Sequence, residues 1–118
     1  MRRVLTIFAA AALASGCASL GGARSQGPRL SGDAAAGQRF VQRACAGCHA
    51  TGMLGDSPNP HSPPFRTVAG LLPGQALEGE LESIARRGHV EMPPIYMTPD
   101  ERRQVAAYIR AIAPRSTT

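Results

Sequence analysis

The sequence predicts an all-α fold, three to four short helices packed around a single site. Three observations lead there. Apolar residues recur at helical spacing in residues 33–44, 75–87 and 98–113. A Gly- and Pro-dense stretch, residues 50–64, separates the first of these from the rest and excludes regular structure. Finally, no strand pattern surrounds the one chemically distinctive run, Cys45-Ala46-Gly47-Cys48-His49.

That run has the spacing that attaches a c-type haem covalently. On a helical turn, positions i and i+3 share a face, so the thiols of Cys45 and Cys48 reach one side of a flat porphyrin and can add to its two vinyl groups. His49 follows closely enough to turn its imidazole under the ring and bind iron. Ala46 and Gly47 are small and let the backbone lie near the haem edge. A redox dithiol would need a thioredoxin-like βαβ context, which is missing. A zinc site would need four ligands, and beyond the motif the chain offers only Cys17, His61 and His89.

The 118 residues allow one small domain. Without the N-terminal segments, roughly 80 residues remain, a size at which burial alone gives marginal stability. A covalent haem c would supply a large apolar nucleus. All 13 basic residues are arginine. Removing Arg2 and Arg3 with a leader leaves eleven against eight carboxylates, a net +3, and two propionates bring this to about +1. That balance is too small to argue for nucleic acid.

Residues 1–16 read as an export signal: Arg2 and Arg3, the apolar run Val4–Leu13, then small residues. The run is too short to stay in a bilayer as a permanent span. Leu13-Ala14-Ser15-Gly16-Cys17 resembles a bacterial lipobox, with leucine one position earlier than usual. Cys17 is therefore the expected lipid attachment site. Ordinary cleavage, for instance after Ala14, would instead leave it a free thiol. Multiple acyl chains would anchor the protein firmly, and Ala18 beside the cysteine points to the outer membrane under the usual sorting rule. Residues 17–32 are then a lipid-anchored cysteine and a flexible tether of about 20 Å. A folded domain over 33–114 and a disordered tail, 115–118, complete the chain.

The first helix is expected to start at Asp33 as N-cap and to run through Ala44, with Ala36, Phe40, Val41 and Ala44 on one face. From Gly32 to His49 the chain resembles the N-terminal helix and haem motif of class I c-type cytochromes. The resemblance extends over roughly residues 32–113 and implies that the N- and C-terminal helices cross. Gly37 matches the family's glycine at that crossing, while Val41 stands in its usual aromatic slot with Phe40 beside it. Haem attachment outside the bacterial cytoplasm, on the periplasmic side of a membrane, agrees with the export signal.

For the 50–64 loop the resemblance implies a proline carbonyl that accepts a hydrogen bond from the far nitrogen of His49. Pro63 is the best match, with Pro60 and Pro64 close rivals. Phe65 is expected at the haem. His61 reads as a solvent-facing loop residue, and Met53 as lying on the proximal side.

A short turn over 66–72 is expected next, then a helix over 75–87. Leu77, Leu81 and Ile84 line one face, acidic residues stand early and Arg86 and Arg87 late, as the helix dipole favours. Gly88 is a natural stop. In His89-Val90-Glu91-Met92-Pro93-Pro94-Ile95-Tyr96-Met97, the resemblance makes Met92 the sixth iron ligand, with Met97 and then His89 as lesser candidates and Tyr96 as a haem contact. A thioether opposite imidazole raises the potential and closes the iron to substrate.

The last helix opens with Thr98-Pro99-Asp100-Glu101, a capping box with proline at its first position. It is expected to reach Ala113, burying Val105, Tyr108, Ile109 and Ile112, with Tyr108 near Gly37. Arg102, Arg103 and Arg110 read as a solvated face. What the resemblance implies functionally is a non-enzymatic carrier of single electrons between redox proteins, without a small-molecule substrate. Arg43, Arg86 and Arg87 would dock a partner that is acidic near its site. The alternative is a haem enzyme or gas sensor with an open or weak sixth position.

Overall fold

The computed structural model describes residues 29–115. The export signal, Cys17, nearly all of the tether and residues 116–118 lie outside them. Four helices follow in order: α1 Gly32–Ala44, α2 Phe65–Leu71, α3 Ala76–Arg87 and α4 Pro99–Ala111. Among the described residues the only β pairing is the isolated bridge between His89 and Met92. None of these helices is long and apolar enough to cross a membrane.

α1 packs against α4, and this pair organises the domain. Gly37 is buried at the contact, where a Cβ would run into the backbone carbonyl of Gln104 and the amide nitrogen of Val105. One turn further on, Val41 is wholly buried and Phe40 nearly so. Valine therefore fills the expected aromatic slot, and Phe40 joins the same core. Val105, Tyr108, Ile109 and Ile112 of α4 complete it from the other side. Full burial of a side chain of this size contributes about 1.5–3 kcal/mol.

Asp33 is not the N-cap. α1 starts one residue before it, after Ser31, without a side-chain capping bond. The Asp33 carboxylate instead meets Arg103 of α4 at 3.2 Å, and Arg103 also holds Asp100 at 2.8 Å. Ala44, expected on the apolar face, is exposed where the helix gives way to the motif.

The capping box of α4 is present in full. Thr98 Oγ1 accepts from the Glu101 amide, and Glu101 Oε2 accepts from the Thr98 amide at 2.8 Å. α4 ends at Ala111, two residues short of the expected stop, in a turn closed by Ala113 N–H to the Arg110 carbonyl. Its arginines are more than a solvated face. Arg102 donates to the Met97 carbonyl at 3.0 Å, and Arg110 bridges to Glu78 of α3 at 3.2 Å.

Candidate haem site

The motif continues α1 by one further turn. Cys45 caps the helix, its N–H bonded to the Val41 carbonyl at 2.9 Å, and the amides of Cys48 and His49 both return to the Cys45 carbonyl. Cys45 is thereby turned partly inward and Cys48 outward. Burial, and then the neighbouring Cys48, pushes the Cys45 thiol up to about 11.

His49 is buried, with 6 % of its surface exposed. Its Nδ1 lies 2.8 Å from the Pro63 carbonyl oxygen. A carbonyl can only accept, so Nδ1 must carry the proton, which leaves Nε2 with a free lone pair. The Phe65 ring packs against the imidazole, centroids 4.9 Å apart and tilted by 40°.

The backbone around His49 is held residue by residue. Asn59 N–H reaches the Cys48 carbonyl at 3.1 Å, and Phe65 N–H the Ala50 carbonyl at 2.9 Å. Ala50 N–H donates to Ser57 Oγ at 2.9 Å. From α4, the Tyr108 hydroxyl donates to the Thr51 carbonyl at 2.6 Å. The Pro-rich loop and α4 thus share the work of fixing one short segment. Ser57 carries no motif that could have marked it in the sequence. Tyr108 stands out in the sequence as part of an apolar stripe and as the aromatic near Gly37, and neither reading points to its hydroxyl.

His49 and Cys45 open into a cavity of about 420 Å³. Leu77, Leu81 and Ile84 of α3 wall it, with Val105 and Ile109 of α4, and Phe65 and Val68 of α2. These walls are almost wholly apolar, as a flat hydrophobic macrocycle requires. Met92, Met97 and His89 also line it. Met97 is buried in the core, whereas Met92 is partly exposed on the loop that closes the cavity. An imidazole and a thioether side chain bordering a single apolar space, with Cys45 on its wall and Cys48 on the adjoining smaller cleft, form a donor set that fits haem c.

Tyr96 departs from expectation. It is 80 % exposed and forms no part of the cavity wall, while Ile95 and Met97 on either side do. Tyr96 points out to solvent while its two neighbours turn inward. Met53 is exposed and lies off the wall. His61 is exposed too, 3.7 Å from Glu91 across a smaller cleft that also borders Cys48 and Met92.

Residues 32–109 match the family model described as cytochrome C oxidase, cbb3-type, subunit III. The chain belongs to this family of c-type cytochrome domains. The match begins at the first residue of α1 and ends in the last turn of α4, so it covers every element that builds the site. No curated protein and no solved structure matches the chain. As a class I c-type cytochrome, the protein carries haem c bound covalently through Cys45 and Cys48, and its chemistry is haem-based electron transfer. Cytochrome c domains of this kind are typically exported and work with redox proteins.

Proposed function

We propose that this cytochrome is a single-electron carrier whose iron is held between His49 and Met92. When bound, haem c supplies an iron that changes its charge by one electron. The observation that carries the reading is the Pro63 bond to His49, made in an apolar cavity that Met92 borders. Pro63 keeps the proton on Nδ1 and raises the basicity of Nε2 toward iron. Leu77, Leu81, Ile109 and their neighbours exclude water, which favours the reduced state and keeps reorganisation small. With Met92 at the sixth position no site is left for oxygen or substrate, and the protein is not an enzyme.

The carrier works outside the cytoplasm, tethered through a lipidated Cys17 to a membrane, the outer membrane by its Ala18, and it exchanges electrons with membrane-associated partners. Arg43, Arg86 and Arg87 are exposed and supply positive charge to a partner that is acidic near its docking site. Arginine keeps the charge that lysine would bring but sets a more directional hydrogen-bond geometry.

The deciding measurement is the far-red absorption band of methionine-bound ferric haem. It should vanish in Met92→Ala and persist in Met97→Ala. A parent protein that lacks the band and binds carbon monoxide readily at neutral pH would replace the carrier with an open-site sensor or enzyme. Replacing Cys17 with serine should release the protein from membranes, and an unchanged membrane fraction would remove the anchor.

A further inference from the structure

The loop that presents Met92 is a tight turn, closed in both directions. His89 N–H bonds to the Met92 carbonyl at 3.0 Å and Met92 N–H to the His89 carbonyl at 2.6 Å. Its two central residues are Val90 and Glu91. Val90 has φ +37°, and no other non-glycine among the described residues has a positive φ. A positive φ at the first central residue alone is the pattern of the type II′ hairpin turn, where glycine or asparagine normally stands. Valine is among the residues least suited to it, because its branched Cβ crowds the backbone there.

No other protein side chain offsets this cost: Val90 is fully exposed to the rest of the chain, at 101 % relative accessibility, and stands on the rim of the haem cavity. The turn is nevertheless firmly seated. Gly88 beneath it is buried at φ +65°, and a Cβ there would collide with the Met92 carbonyl and the backbone of Pro93 and Pro94. The end of α3 and the turn can approach this closely because residue 88 has no side chain.

We propose that Val90 sets how firmly Met92 is held, by loading the closed turn with backbone strain that opening releases. This rests on the reading of Met92 as the sixth ligand. The strain is present while the turn is closed over the cavity and is relieved once the His89–Met92 pairing breaks. The sixth position therefore exchanges more readily than a relaxed turn would allow, and small ligands compete with Met92 more successfully. Val90 is a positioning residue, acting on Met92 through the backbone.

The test compares ferric holoproteins: the parent, Val90→Asn, Val90→Ile and Met92→Ala. Each is titrated with imidazole as a competitor for the sixth position, following the far-red band and the Soret region. Asparagine accepts positive φ and isoleucine does not, and both are placed on an exposed side chain. Val90→Asn should bind imidazole about tenfold more weakly than the parent, and Val90→Ile within about twofold of it. Equal or tighter imidazole binding by Val90→Asn would overturn the proposal, as would an equal shift in both variants, which would trace the effect to side-chain contact. If Met92→Ala keeps the band, the ligation reading fails and the proposal with it. If Met92→Ala loses the band while Val90→Asn matches the parent, the ligation stands and only the role of Val90 is lost.

Discussion

Gly37 of α1 lies against the peptide that joins Gln104 to Val105 in α4, so close that a Cβ would enter the space of the Gln104 carbonyl oxygen. Backbone opposes backbone here, and no side-chain rotation can relieve the clash. Gly37→Ala must therefore push apart the two helices on which the core is built. The cost should be about 3 kcal/mol, at the top of the range for overpacking, which for a domain of this size lowers Tm by more than about 10 °C. Gly79 is the control. It is helical with open space where a Cβ would go, so Gly79→Ala should stabilise by up to about 1 kcal/mol. Thermal unfolding followed by circular dichroism separates the two, and a Gly37→Ala protein as stable as the parent would refute the close crossing.

The start of α4 makes stability depend on acid. The Thr98 backbone N–H, and then its hydroxyl, hold the Glu101 carboxyl below the usual carboxylate range. A carboxyl depressed in the folded state stabilises above its unfolded value, near 4.3, and that contribution is lost as pH falls through the folded value. Glu101→Gln should accordingly melt below the parent at pH 7, and the gap should close as the pH drops under about 4. Thr98→Ala removes the other half of the box and should cost about 1 kcal/mol. A Glu101→Gln deficit that stays constant from pH 7 to 3 would rule out the ionised cap.

How much of this was legible beforehand follows from the range of each interaction. Helical stripes, the capping box and the Cys45–His49 spacing are local patterns, and the helices formed within a residue or two of expectation. Pro63, the best-matching of three prolines, is the one whose carbonyl meets His49. Asp33 was misplaced because its partner, Arg103, lies on another helix seventy residues away. Tyr96 stands off the cavity wall between two residues that line it, and aromatic character alone says nothing about which of three consecutive loop side chains faces in. Ser57 was invisible, since one hydroxyl in a loop gains meaning only when the fold brings an amide to it. The positive φ of Val90 was equally hidden, because valine is the residue that sequence rules exclude from such a turn.

Tyr108 joins α4 to the segment after the motif by a bond that sequence could not reveal. Tyr108→Phe keeps the buried ring and deletes only the hydroxyl that meets the Thr51 carbonyl. The loss should be about 1 kcal/mol, read as a lower urea midpoint with an unchanged m-value. An unaltered midpoint would mean that water satisfies the carbonyl equally well. Haem attachment should persist, because neither Cys45 nor Cys48 depends on that bond.

Ser57 provides the sharper test of the same brace. The Ala50 amide lies next to His49 in a residue that is itself buried, and Ser57 Oγ is its acceptor. Ser57→Ala leaves a buried donor without a partner, which should cost about 1–3 kcal/mol. Ser57→Thr retains the oxygen and should restore most of it. Because Ala50 and Thr51 are adjacent, once either bond is gone the segment is free to shift and weaken the other. The double variant Ser57→Ala, Tyr108→Phe should therefore lose less than the sum of its parts, with a coupling of at least about 0.5 kcal/mol. Strict additivity in urea unfolding would show that the two bonds act independently and that His49 is not held by a shared brace.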